Sequence, residues 1–169
     1  MRNPNPTTRF YEVKPGKSGW ARIWLTDDGC ISILSDWGNY GYWFGSPGCE
    51  FRLFLTGCDD DYLGNKFAGG KTEFDGEETA DAARELILRH RREQRLSAED
   101  ARNEWNQLPT VFENEMDYVE WANHQTKLGF DYTYDLSRHV RPHAVRQFLK
   151  HVWPLFVEQL KAQLAAEAA

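Results

Sequence analysis

The sequence lacks the features that mark a membrane protein or a general nucleic-acid-binding protein. No apolar run approaches the ~20 residues needed to span a bilayer, and the polar N-terminus M-R-N-P-N-P-T-T does not resemble a signal peptide. The 169-residue chain carries 20 Lys and Arg against 26 Asp and Glu, for a net charge of −6. A general nucleic-acid binder is usually basic, because neutralising phosphates supplies much of its affinity. We therefore expect no membrane partner and do not favour direct binding of nucleic acid.

The chain has only three cysteines, an odd number. Cys30, Cys49 and Cys58 cannot all pair with one another, and their spacings match no common zinc-binding pattern. We expect them to be buried free thiols of a protein that works in a reducing compartment, the cytoplasm.

Residue sets typical of a catalytic or metal site are also missing. Asp59-Asp60-Asp61 lacks the spacing of an EF-hand and suits a helix N-cap followed by carboxylates that the helix dipole stabilises. His139 and His143 are four residues apart, but Pro142 between them indicates a helix start rather than a shared helical face. We expect no catalytic residue, no metal and no cofactor. A metal-dependent enzyme built on these aspartates and histidines is a third, open alternative.

Aromatic side chains, by contrast, are abundant, with seven Trp, seven Tyr and ten Phe. Five of them crowd around three glycines in D-W-G-N-Y-G-Y-W-F-G, residues 36–45. Side chains alternate between the two faces of a strand, so about half of these rings must lie opposite the others. Each ring belongs either to the core or to a surface on which exposed Trp and Tyr anchor a partner.

Turn residues divide the N-terminal part of the chain into four runs with strand character. Pro15-Gly16, Asp28-Gly29 and Asp36–Asn39 separate these runs, and Ser46-Pro47-Gly48 ends the last one. We predict strands at about 10–14, 20–26, 30–34 and 40–44, and a two-residue turn with positive φ at Gly29. Strands joined by successive hairpins form an antiparallel meander.

Helical periodicity dominates the rest of the chain. Short helices are predicted at 50–56 and 60–67, and longer ones at 79–96, 98–108 and 115–126. A final helix begins near Pro142, and Pro154 is expected to bend it. Residues 129–135 alternate like a strand or an extended loop. Strands followed by helices indicate an α+β fold, here one domain over residues 1–169 with a loose arm at 1–8 and a frayed tail at 165–169.

Charge is unevenly distributed along the chain. Residues 59–85 carry nine acids and three bases, and residues 99–135 carry nine acids and two bases. Between them, four arginines accompany the single acid Glu93. The arginines are Arg89, Arg91, Arg92 and Arg95. They form either a solvated helix face or a contact surface for phosphate.

The block S-D-W-G-N-Y-G-Y-W-F-G-S, followed by D-D-D-Y-L-G-N-K-F, resembles small uncharacterised accessory proteins of tailed bacteriophages and prophages. In those proteins a strand pair with an S-D-[YW]-G-N-[YW] turn precedes a D-x-D-Y-L-x-x-K-[LF] helix. The resemblance covers residues 19–70 and implies a viral accessory protein expressed in the bacterial cytoplasm, without implying an activity. By analogy, small acidic phage proteins often bind a host machine, and anti-CRISPR proteins are the best-known class.

The leading hypothesis is a non-enzymatic phage protein that inhibits a host protein or ribonucleoprotein complex, such as a nucleic-acid-handling defence complex. Acidic side chains can occupy a channel meant for nucleic acid, and aromatic rings anchor the contact. The candidate partner-binding residues are Trp37, Tyr40, Trp43, Asp60, Asp61, Glu115 and Asp117. The alternative is a nucleic-acid-binding or processing protein that uses the Arg89–Arg95 cluster.

Overall fold

The computed structural model describes residues 6–14, 16, 19–45, 47–124, 127–129, 133 and 135–169. The fold comprises two compact units, of which unit 1 is Met1–Lys71 with Arg141–Ala169 and unit 2 is Thr72–Val140. The predicted single domain stays a prediction. Several predicted features lie outside the described residues. They are residues 1–5 of the arm, Pro15 of its turn, Ser46, Thr126, and most of the alternating segment 129–135.

Within the described ranges, none of the helices has the length and apolar character needed to cross a membrane.

The predicted antiparallel meander is confirmed and forms the sheet of unit 1. Its strands are β1 (Thr8–Val13), β2 (Ala21–Thr26), β3 (Cys30–Ser35) and β4 (Gly38–Trp43), in the spatial order β1-β2-β3-β4. The strand β1 begins at Thr8, opposite Thr26, so the last residue of the predicted loose arm is part of the sheet. The Asp27 amide donates to the Thr7 carbonyl and extends this pairing by one step.

The hairpin between β2 and β3 has the predicted positive φ at Gly29 but contains three residues, not two. The Gly29 amide donates to the Thr26 carbonyl over 3.0 Å, and Gly29 then takes a φ of 88°. A tight turn followed by a left-handed glycine is the usual three-residue hairpin. The Gly29 carbonyl accepts from the Phe44 amide, so the extra residue also ties the far end of β4 to this turn.

The helices follow the sheet in the predicted order. They are α1 (Phe51–Thr56), α2 (Asp60–Ala68), α3 (Gly76–Arg92), α4 (Ala98–Gln107), α5 (Glu115–His124), α6 (His143–His151) and α7 (Trp153–Glu167). A two-stranded antiparallel ladder joins β5 (Glu73–Phe74) to β6 (His139–Val140) in unit 2. Strands followed by a mainly helical half make the fold α+β, as predicted.

The core of unit 1 lies between the inner face of the sheet and the last two helices. Ala21, Ile23 and Leu25 alternate inward along β2 and are buried against apolar side chains of α6 and α7. Phe148 and Phe156 are completely enclosed there. The predicted final helix is divided at Val152 into α6 and α7, and Pro154 lies in the first turn of α7, where its missing N–H costs little. The Val152 amide still donates to the Phe148 carbonyl over 2.9 Å, and the bend itself stays a prediction.

The predicted frayed tail is helical through Glu167. Both carboxylate oxygens of Glu167 accept from the Arg52 guanidinium, at 2.7 and 2.6 Å, and Arg52 is a buried residue of α1. A bidentate pair of this kind holds the last turn of α7 in place. The sequence could not show it, because the two residues are far apart in the chain.

Unit 2 has its own core around α3. The predicted stripe of Ala80, Ala83, Ile87 and His90 is buried. This helix begins earlier than predicted, because the Asp75 carboxylate accepts from the Glu78 amide and caps it. It also ends earlier, at Arg92. The predicted cap of α4 is confirmed, since the Ser97 hydroxyl accepts from the Asp100 amide.

Candidate partner-binding surface

The side of the sheet opposite the core carries exposed aromatic rings. We call this surface the outer face. It includes Phe10, Glu12, Trp20, Arg22, Trp24, Ser32, Leu34, Asn39, Gly41 and Trp43. Phe10 is 54% exposed and Trp43 is 48% exposed, while Trp20 and Leu34 are exposed to a lesser degree. Several large apolar side chains on one open face are the usual mark of an interaction site rather than of a free surface.

Strand register places these rings in an uneven row across the sheet. Phe10 lies opposite Trp24, Trp24 opposite Ser32, and Ser32 opposite Gly41. The Phe10 and Trp24 rings contact each other with centroids 5.4 Å apart. Neighbouring strands are about 4.8 Å apart. Along this row the side chains become smaller, from the rings of Phe10 and Trp24 to the hydroxymethyl group of Ser32 and then to Gly41, which has no side chain. Trp43 stands two residues beyond Gly41 on the same face, and the result is a shallow depression floored by Ser32 and Gly41.

Gly41 is not required by the fold. A Cβ built there would meet only the Ile31 carbonyl oxygen at 3.8 Å, an ordinary contact, and the residue does not have a left-handed φ. Glycine inside a strand is destabilising because it contributes no packing and loses more backbone entropy. By contrast, Gly38 in the same strand has a φ of 128° and a Cβ position 3.0 Å from the Tyr40 hydroxyl. Backbone that is bare on an exposed strand also allows another molecule to approach it closely.

Charged groups border the outer face at both ends. The Trp43 indole N–H donates to the Asp28 carbonyl over 2.9 Å, so this ring lies beside the acidic Asp27-Asp28 turn. At the other end the Arg22 guanidinium lies 6.0 Å from the centre of the Trp20 ring, a cation–π contact. The face therefore already holds one guanidinium on an indole. It presents a second indole, that of Trp43, beside the acidic Asp27-Asp28 turn.

The structure separates the three predicted aromatic site residues. Trp43 lies on the outer face, but Tyr40 points inward and packs on Phe148, with ring centroids 5.2 Å apart. Its hydroxyl donates to the Trp37 carbonyl over 2.5 Å, and burial raises the pKa of Tyr40 to about 12. Trp37 is half-buried against His143 and His151. Both side chains are half-buried and pack against interior rings, so their predicted role in binding a partner stays a prediction.

Phe10, Trp20 and Trp24 are the aromatic residues of the outer face that the predicted site omits. Side chains along β2 alternate between the two faces of the sheet, and this alternation could have identified the tryptophans. Ala21, Ile23 and Leu25 are buried on one face, so Trp20, Arg22 and Trp24 lie on the other. The phase of this strand predicts that both tryptophans share one face. Adding Phe10 to that face requires the register of β1 on β2, which depends on pairing rather than on local sequence.

The predicted acidic residues are exposed, and two of them have local partners. In unit 1, the Arg141 guanidinium pairs with the Asp61 carboxylate and donates to the Asp60 carbonyl. In unit 2, Glu115 lies 3.4 Å from His139. Asp117 is exposed in the first turn of α5, where the helix dipole favours a carboxylate. Asp60 and Asp117 therefore have the carboxylates most available to a partner.

The four predicted arginines are exposed, and three of them lie in the last turn of α3. Cations in that position are stabilised by the helix dipole. The three are Arg89, Arg91 and Arg92. Arg95 follows the helix and pairs with Glu93 at 3.0 Å.

The aspartates and histidines considered as metal or catalytic groups have local structural partners. In the described part of the chain, no cluster of three or more His, Cys, Asp or Glu side chains has the arrangement of a metal site. The Asp59 carboxylate accepts from the Tyr62 amide and caps α2, as predicted. In unit 2, the Ser137 hydroxyl lies 3.5 Å from His139, whose other ring nitrogen faces Glu115. The Asn114 side chain accepts from the Met116 and Asp117 amides at the start of α5, as an N-cap residue does.

The cysteines are free thiols, as predicted, but they are not all buried. Cys49 is exposed, whereas Cys30 and Cys58 are half-buried. Burial raises the pKa of Cys58 to about 11. This thiol therefore stays protonated and unreactive at neutral pH.

Comparison with known proteins identifies a family. The model of a phage protein family, Phage_phiTE_072, matches residues 1–162. Because this match spans almost the whole chain, the chain belongs to that family. Searches of curated proteins and of solved structures find no match. The membership of a phage protein family that the sequence resemblance implies is thus confirmed.

Proposed function

We propose that this phage protein is a non-enzymatic binding protein that inhibits a host nucleic-acid-handling or defence complex, in the manner of an anti-CRISPR protein, within the bacterial cytoplasm. The single observation that carries the proposal is the outer face. Its exposed rings lie around a depression at Gly41 that the fold does not require. Phage membership makes a host factor the natural partner.

The chemistry of the outer face favours a partner with cationic side chains. Trp43 offers an indole face next to Asp27 and Asp28, and a guanidinium gains from both groups at once. Arg22 on Trp20 shows that the same face accepts this geometry. Arginine and lysine line the channels in which proteins bind nucleic acid, so such a channel presents the complementary groups.

The acidic side chains act at longer range than the aromatic rings. Asp60, Asp61, Glu115 and Asp117 are exposed carboxylates, and exposed charge mainly steers association, whereas buried aromatic anchors govern dissociation. Reversing all four to Lys is expected to slow association with the partner, and added salt should then have less effect. An unchanged association rate would mean that these four carboxylates contribute to solubility and not to binding.

The test compares capture of the host partner by the wild-type protein and by Trp43→Ala and Phe10→Ala. Leu53→Ala is the matched control, because Leu53 lies on α1 and is 54% exposed, as Phe10 is. We expect the two outer-face variants to lose a nucleic-acid-handling complex that the wild type and Leu53→Ala both retain. In a strain that carries the corresponding defence system, the same two variants should fail to restore plating of a targeted phage.

Two results would count against the proposal. If the wild-type protein captures no partner at physiological salt, the proposal that the outer face binds a host complex is contradicted. Full capture by Trp43→Ala and Phe10→Ala, with circular dichroism unchanged in all variants, would place the interface elsewhere on the molecule.

A further inference from the structure

A second surface, on unit 2, has the chemistry of a small binding site. A groove of about 380 Å³ is lined by side chains from both α3 and α4. Leu88 and Trp105 line it with 41% and 42% of their surfaces exposed, and the buried Ile87 adds to its apolar lining. Arg91 from α3 and Arg102 from α4 bring two guanidinium groups to the same groove.

The fold does not account for this set of side chains. Arg102 lies in the middle of α4, away from the helix end at which the dipole favours a cation. Among the residues that the structure describes, neither Arg102 nor Arg91 has an acidic partner within salt-bridge distance. The groove therefore combines an exposed indole with two guanidinium groups that have no acidic partner among the described residues, a pairing suited to a ligand with both a flat ring and negative charge.

We propose that this groove binds one nucleotide unit, either free or within a short single strand. The Trp105 ring offers a flat face on which a base can stack, which is how proteins hold unpaired nucleotides. Arg91 and Arg102 supply donors for a phosphate, and the Asn106 amide, which also lines the groove, can pair with a base edge. The groove volume falls within the range of small-ligand sites.

Charge around the groove argues for a single unit rather than a long polyanion. Residues 72–140 carry sixteen acidic and eight basic side chains, so a strand extending beyond the groove meets repulsion. The two groove arginines form a local exception to this surplus. The groove is therefore a different site from the Arg89–Arg95 cluster. Arg102 and Trp105 line the groove, whereas Arg89 and Arg92 do not.

The experiment titrates the full chain at low ionic strength with two probes. One is thymidine 5′-monophosphate, followed by calorimetry, and the other is a labelled oligothymidylate of about ten nucleotides, followed by fluorescence anisotropy. We expect Arg102→Ala to weaken binding about tenfold and Trp105→Ala to weaken it at least about fivefold. Trp105→Phe keeps a stacking ring and should retain most of the affinity.

Arg89→Ala and Arg92→Ala are the matched controls, because these arginines belong to the same basic segment but do not line the groove. Their affinities should change by less than about twofold. Binding of the monophosphate identifies a free-nucleotide site, and binding of the oligonucleotide alone identifies a single-strand site.

Two results overturn the proposal. They are no binding of either probe, and equal losses in the groove variants and the control arginines. If both nucleotide probes fail and a Glu- and Leu-containing peptide binds at Arg102 and Trp105, the groove is a peptide site instead. Unchanged circular dichroism in every variant shows that the comparison concerns binding and not folding.

Discussion

Replacing Gly41 by alanine should stabilise the protein. The added Cβ makes one ordinary contact, 3.8 Å from the Ile31 carbonyl oxygen, and needs no change in the backbone. A glycine-to-alanine change at a compatible position gains about 0.4–1 kcal/mol, mostly by reducing the entropy of the unfolded chain. For a chain of this length the gain corresponds to a rise in Tm of about 1–4 °C, which thermal unfolding followed by circular dichroism can measure.

Gly38→Ala is the matched control in the same strand. Its φ of 128° and the Tyr40 hydroxyl 3.0 Å from the Cβ position make an alanine strained there. We expect this variant to lose more than about 1 kcal/mol. Both variants make the same glycine-to-alanine change in the same strand. A difference in their stability therefore reports whether the backbone at each position can accept an alanine.

Gly41→Val then connects stability to binding. Its larger side chain fills the depression between Trp24 and Trp43, so capture of the partner should fall while the fold remains intact. A loss of more than about 1 kcal/mol in Gly41→Ala would show that the fold does require this glycine. Undiminished capture by Gly41→Val would show that no partner approaches the backbone at this position. Either result would refute the reasoning.

Three further predictions concern unit 1. Phe148→Ala should cost about 3–5 kcal/mol in urea denaturation, because the ring is fully enclosed; a loss below about 1 kcal/mol would contradict this packing. Burial raises the pKa of Tyr40 from 10.0 to about 12, so the free energy of unfolding should fall as the pH rises through that interval, and Tyr40→Phe should reduce the fall. Hydrogen bonds from Arg52 lower the pKa of Glu167 below its ordinary 4.5. The stabilisation from this pair is therefore present above that pH and lost as the pH falls through the lowered pKa; a Tm that depends on pH identically in Glu167→Gln would argue against the pair.

Local signals in the sequence predict much of the fold. The Asp28-Gly29 and Asp36–Asn39 turns fix the order of the strands, and the caps at Asp59 and Ser97 mark helix starts within a few residues. Each of these features depends on residues adjacent in the chain. The turn at Gly29 has one residue more than predicted, and its Gly29 carbonyl accepts from the Phe44 amide, a partner fifteen residues away that local turn signals do not include.

The site is harder to predict, because it depends on pairing between distant segments. The phase of β2 places Trp20 and Trp24 on one face, but only register brings Phe10 and Gly41 into the same row. Tyr40 looks like a surface aromatic in the sequence and lies inside because it meets Phe148 of α6. The groove that contains Trp105 likewise exists only when α3 and α4 pack together.

Site-specific photo-crosslinking tests the central claim most directly. A photoreactive residue at Asn39, which is exposed on the same side of β4 as Gly41, is compared with one at Asn65, which is exposed on α2. With the outer face as the binding surface, a discrete covalent adduct with a host protein should form in cells from position 39 and not from position 65. An adduct from position 65 with none from position 39 would contradict the proposal.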